Sequence, residues 1–121
     1  MNPRPHKRLL AWQRAVDMVY RIYEITRGFP REELYGITTQ LRKAAVSVPS
    51  NMAEGLSRRS KKDKLHFLNV SQSSLSEIDT QFEISRRLRY VDDENFNLIE
   101  GVLVEVQMLL SGLIRSIKMN N

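Results

Sequence analysis

Between Leu41 and Leu56 the chain reads LRKAAVSVPSNMAEGL. Leu41, Ala44 and Val48 recur at helical spacing, but Pro49 stands inside the run with no N–H to offer the Ala45 carbonyl, so a helix here must kink or restart. Gly55 is expected to stop it. Ser47, Asn51 and Glu54 are polar groups set among alanine, valine, methionine and leucine, and with Gln40 and Ser74 they form a candidate buried polar network. An interior glutamate needs several hydrogen-bond donors, and Asn51 is placed to donate to a freed carbonyl. These residues favour a network that fixes the kink and the helix pairing over a binding pocket.

Working outward, the segment before this stretch predicts a first helix over about Leu9 to Thr26. Leu9, Trp12, Val16, Val19 and Tyr23 make its core stripe, with a second series, Ala11, Ala15, Met18, Ile22 and Ile25, rotated by one residue. That apolar face is wider than a bundle seam needs and points to an extra contact, as between subunits. Gly28 and Pro30 break the pattern, and helix two is expected to begin near Arg31 to Glu33 and return antiparallel, with Leu34, Ile37, Leu41, Ala44 and Val48 inward. SRRSKK, residues 57–62, is a polar, basic connection.

Helix three is expected over Lys61 to Leu88, with Leu65, Leu68, Leu75, Ile78 and Phe82 in the core. Its middle, NVSQSSLS from Asn69 to Ser76, is unusually small and polar, which permits close approach to the small AAVS of Ala44 to Ser47; some serines can also bond back to their own helix. Acidic YVDDEN, Tyr90 to Asn95, is placed to cap helix four. That helix has the cleanest pattern: Phe96, Ile99, Leu103, Val106, Leu110, Leu113 and Ile117. The expected fold is all-α, a single up-down-up-down four-helix bundle over residues 1–121 with a proline-interrupted second helix.

At 121 residues and 41% hydrophobic content the chain can bury one core. It has no cysteine, which removes disulfides, thiolate zinc sites and cysteine nucleophiles. No signal-length apolar run follows the basic amino end, and 18 uncharged apolar residues never occur in a row, so a soluble, cytoplasmic protein is expected.

The net charge is +5, and its distribution says more than its total. Residues 1–60 hold eleven Lys/Arg against five Asp/Glu, and residues 61–121 hold eight against nine. An alternating bundle gathers the amino terminus, the link between helices two and three and the carboxyl terminus at one end. Arg4, Lys7, Arg8, Arg58, Arg59, Lys61, Lys62, Lys64, Arg115 and Lys118 then face only Glu54 and Asp63 there. Such an end attracts phosphate backbones of RNA or DNA with steep salt dependence and no sequence preference. The competing reading is that these are solvated cations, some offsetting helix dipoles. No aromatic interleaves with the basic run to stack on bases.

No catalytic constellation is present. His6 and His66 are far apart, and Asp63-x-x-His66 is half of a di-iron bundle element without the second half or the bridging glutamates. There is no G-x-S-x-G elbow and no glycine-rich phosphate loop. A non-enzymatic protein without metal or cofactor is expected.

Trp12, the Pro30 to Glu33 turn, the run Ile37-Thr38-Thr39-Gln40-Leu41-Arg42-Lys43-Ala44-Ala45-Val46-Ser47-Val48-Pro49-Ser50-Asn51-Met52-Ala53-Glu54-Gly55 and Ser74-Leu75-Ser76-Glu77 together resemble a known pattern. It is that of the bacterial four-helix-bundle proteins encoded in intervening sequences of 23S ribosomal RNA genes. Ile37 stands where leucine is usual. Such proteins are similar to accessory proteins of diversity-generating retroelements. The resemblance implies a homopentamer with a basic surface that binds nucleic acid, with a reverse transcriptase as protein partner. The family takes its name from gene location, so neither a ribosomal nor a retroelement role follows from these residues. A homo-oligomeric nucleic-acid binder is the favoured expectation, and a protein-interaction adaptor with incidental charge is the alternative.

Overall fold

A computed structural model describes residues 5–120 as four helices: α1 Leu10–Thr26, α2 Ile37–Leu56, α3 Lys61–Arg87 and α4 Asp93–Met119. Single 3-10 turns at Pro5–Arg8 and Arg31–Glu33 precede α1 and α2. Each helix packs on its chain neighbour and α1 closes on α4, while the diagonal pairs do not meet. With connections this short, successive helices reverse direction, which gives the expected up-down-up-down bundle. No strand occurs among the described residues.

Caps in the sequence set the helix limits. Ser60 Oγ accepts the Asp63 N–H at 3.1 Å to start α3, and the Asp92 carboxylate accepts the Asn95 N–H at 2.8 Å to start α4. α3 ends in a Schellman turn, in which the Tyr90 N–H reaches the Ser85 carbonyl and the Arg89 N–H reaches that of Arg86. Arg89 holds the left-handed position, φ 63°, that usually goes to glycine. Helix two starts later than expected. Arg31–Glu33 forms only the 3-10 turn, leaving Leu34 half-exposed, and α2 proper begins at Ile37.

Three expectations about packing need correction. On α1 the two stripes exchange roles: Ala11, Ala15, Met18 and Ile22 are buried, whereas Val16 and Tyr23 remain 38% and 37% exposed. The buried stripe holds Met18 and Ile22 as well as the two alanines, and the stripe that carries Val16 and Tyr23 is left at the rim. On α4, Ile99, Leu103, Val106 and Leu110 are buried as expected, but Ile114 replaces Leu113 at the last turn. Gly55 does not end α2 through a left-handed turn, since no glycine here has positive φ and the helix runs on to Leu56. Its small size serves contact instead. A Cβ built on Gly55 would lie 3.0 Å from the Lys64 carbonyl oxygen and 3.1 Å from Phe67 Cβ on α3.

Pro49 also behaves more simply than a restart would require. α2 is one helix through it, so the interruption is a missing hydrogen bond inside a continuing helix. The proline itself is buried.

Substituting Gly55→Ala is expected to lower stability by about 1–2 kcal/mol, because crowding of the α3 backbone outweighs alanine's better helix propensity. Thermal unfolding of the variant checks this, and a raised midpoint would show that α3 can yield at Lys64.

Candidate nucleic-acid interface

The polar network exists in reduced form, on the seam between α2 and α3. Asn51 Nδ2 donates to the Ser47 carbonyl and to Ser47 Oγ, both at 2.9 Å, and Ser74 Oγ donates to Ser47 Oγ at 2.8 Å. Buried Ser71, which the sequence reading missed, donates to the Val48 carbonyl at 2.8 Å. Asn51 therefore serves the carbonyl of Ser47, four residues back, and not that of Ala45. Two expected members are absent. Gln40 is exposed and accepts from Gln81 at 3.5 Å. Glu54 is exposed and pairs with Arg58, four residues on. A carboxylate at the last turn of α2 reaches water more cheaply than it could be paired inside. The network is structural: it joins two helices and encloses no cavity.

Just beyond this seam the chain turns through Ser57–Ser60 into α3, at the end of the bundle where α4 finishes. The Lys61 ammonium donates to the Lys118 carbonyl at 3.1 Å, tying the start of α3 to the end of α4. Lys64 donates to the Leu56 carbonyl at 3.4 Å. Arg59, Lys61, Lys64, Ile117 and Asn120 line a cleft of about 240 Å³. Arg58 is already engaged, paired with Glu54 and stacked with its guanidinium 4.8 Å from the centre of the Phe67 ring. Arg59, Lys62, Arg115 and Lys118 are exposed and form no ion pair among the described residues. Lys7, in the turn before α1, is exposed too. Arg4 and the side chain of Arg8 lie outside the described residues. Phe67 is the one aromatic ring that the structure adds beside the basic link, and Arg58 covers it.

The opposite end mixes both signs. Glu83 accepts from Arg86 and Arg87, each at 2.9 Å, and these hydrogen bonds hold its carboxyl below the usual range and raise the Arg86 guanidinium above its own, while Arg27, Arg31 and Arg89 are exposed and form no ion pair among the described residues. Tyr90 donates to Glu33 at 2.8 Å across the two connections, which pushes the phenol above its ordinary value. Between α3 and α4, Asp79, Glu83 and Glu100 share a groove of about 580 Å³. Burial, then the neighbouring Asp79 carboxylate, raise the Glu100 carboxyl. Among the described residues no group of three His, Cys, Asp or Glu side chains could hold a metal ion.

These features define a class, an all-α bundle of alternating helices with a cluster of exposed, unpaired cations at the end where α2 meets α3. More particularly, the chain belongs to the family of 23S rRNA-intervening sequence proteins, whose profile matches residues 7–112. Among solved structures it is similar to a protein of unknown function from the S23 ribosomal protein family of Bacteroides thetaiotaomicron. The two share 20% identity at a TM-score of 0.81, over 88% of this chain and 96% of that one. At that identity the likeness concerns the fold. A search of curated proteins finds no match. The expected kinship with retroelement accessory proteins has no support in these comparisons.

Two measurements probe this geometry. Ser71→Ala should cost about 1 kcal/mol by removing a buried donor, while Glu54→Gln should change stability by less than about 0.5 kcal/mol, the reverse of the ranking that an interior Glu54 would give. Glu100 holds its proton more tightly folded than unfolded. The stability this contributes is present below the ordinary carboxylate range and is lost as pH rises through the raised value. Glu100→Gln should therefore be more stable than the parent at pH 7, by up to about 1 kcal/mol, with the difference vanishing toward about pH 4 in pH-dependent denaturation.

Proposed function

We propose that the protein is a non-enzymatic, homo-oligomeric bundle that holds nucleic-acid backbone at its basic end. The observation that carries this is the set of exposed cations outside any ion pair. Arg59 and Lys62 come from the link and the start of α3, and Arg115 and Lys118 from the end of α4, and Arg59 also lines the cleft with Lys61 and Lys64. Cations already paired with carboxylates gain little by meeting a phosphate, whereas these four would gain fully and release condensed counterions. Lys7 and Arg58 border the patch, Arg58 as a packed element and not as a free contact. With no bare aromatic to stack on bases, recognition is of charge and shape, for RNA or DNA alike. Several copies presenting this end together would raise avidity without any new contact.

A second reading is a protein-interaction adaptor, a reverse transcriptase being one such partner by family resemblance. It is favoured by one observation, the exposed apolar residues along the outside of α4: Leu98, Val104 and Met108, at 43%, 51% and 70% exposure.

Titration with structured RNA and with duplex DNA at two salt concentrations separates the readings. Binding should weaken steeply with salt, and the variant with Arg59, Lys62, Arg115 and Lys118 all changed to Gln should lose at least about tenfold in affinity with a flatter salt slope, by roughly three to four. Its circular dichroism should be unchanged. No binding at low salt, or an unaltered affinity in the variant, would remove the basic end as the site.

A further inference from the structure

Midway along the bundle, α3 and α4 part to leave a groove of about 490 Å³ that carries no charge. Asn69, Gln72, Ser73 and Ser76 line it from α3 and Gln107 and Ser111 from α4, with buried Leu75 supplying an apolar wall. Its internal hydrogen bonds are long ones. Gln72 Nε2 donates to Ser111 Oγ at 3.5 Å, and Ser76 Oγ donates to the Gln72 carbonyl at 3.4 Å. Most of the amide and hydroxyl capacity of the groove is therefore free to meet a ligand.

Both walls become basic toward the end where α2 meets α3. On α4, Arg115 and Lys118 follow Ser111 by four and seven residues, so they continue its face over about 6 and 10 Å. On α3, Lys62 precedes Asn69 by seven residues, two turns along the same face. In the other direction the furrow between the two helices turns acidic, at Asp79, Glu83 and Glu100. A phosphate backbone is thus attracted at one end and repelled at the other, and the neutral stretch lies between.

The chemistry of that stretch narrows what can occupy it. A phosphate there would lose water without gaining a counter-charge, and an apolar ligand would leave six polar side chains without partners. Neutral edges that carry donors beside acceptors fit both demands. The side-chain amides of Asn69, Gln72 and Gln107 offer the same pairing, which is how asparagine and glutamine read nucleobase edges. From this we infer that the α3–α4 groove receives the bases of an unpaired RNA or DNA strand whose phosphates are held at the basic end. The inference rests on the nucleic-acid part of the proposed function and adds base contacts to its backbone contacts. In a duplex the Watson–Crick edges are already paired, so the groove serves single strands.

The test compares an unstructured, mixed-sequence single strand of about twelve nucleotides with an abasic strand of the same length and with duplex DNA. The full-length chain carrying both Gln72→Ala and Gln107→Ala should bind the base-bearing strand roughly tenfold more weakly than the parent does. Its affinity for duplex DNA should stay within about twofold, and its salt slope should be unchanged because no cation is removed. The parent should bind the abasic strand about as weakly as the variant binds the base-bearing one. That comparison uses the unmodified protein and decides the matter even if the double variant does not fold. Equal affinity of the parent for abasic and base-bearing strands, or a folded variant that binds the single strand as the parent does, would overturn the inference while leaving backbone binding intact. Absence of binding to every probe at low salt would remove the proposed nucleic-acid function and this inference together.

Discussion

The close approach of α2 and α3 is the constraint on which the other features depend. Gly55 leaves room for the Lys64 carbonyl, and Ala44, Ala45, Ser71 and Ser74 keep the rest of the seam thin. A seam this close has no place for leucines, so small side chains and hydroxyls fill it. Those hydroxyls are not left unsatisfied: Ser71 answers the Val48 carbonyl and Ser74 answers Ser47. The seam therefore accommodates Pro49 inside α2 without ending the helix, and a buried proline ring contributes apolar surface where its missing N–H is one bond among many.

Holding α2 against α3 also fixes the basic link between them. Only residues 57–60 join the two helices, and Ser60 caps α3 at once, so Arg58 to Lys64 are carried on ordered backbone. Lys61 reaching the Lys118 carbonyl brings in the end of α4. The basic end is thus a product of topology. Cations separated by more than fifty residues become neighbours because the helices alternate.

Much of this was legible in the sequence, for reasons that differ by element. The order and type of the helices followed from periodicity, and the α4 start from the acidic turn that holds Asp92, since caps act locally. The inward face of α1 was not legible, because two complete stripes compete and only the placement of the neighbouring helices decides between them. Gly55 was misread because a glycine near a helix end serves a turn or a close approach equally well, and only the facing helix distinguishes the two. Glu54 was placed inside on the strength of its apolar neighbours, but one residue of rotation puts it in water beside Arg58. Charge clustering was visible, whereas the engagement of Arg58 by Phe67 was not, since Phe67 lies nine residues further on in α3. The exposed apolar face of α4 was hidden by the very regularity of its core stripe. Val104 and Met108 lie between its members, where no periodic signal singles them out.

That face and the displaced α1 stripe are both apolar surface left outside the core. The α2–α3 seam is thin, the rest of the interior is filled by side chains as large as Phe82, Met18 and Leu110, and several large apolar side chains remain outside it. Some of these are scattered, as is ordinary for exposed hydrophobes, at Leu10, Leu34, Tyr35, Ile84, Leu88 and Met119. The rest lie on two helix faces, Val16, Tyr20, Tyr23 and Val46 on one and Leu98, Val104 and Met108 on the other. Tyr23, left at the rim, is not bare there, since the Arg42 guanidinium lies 4.7 Å from the centre of its ring.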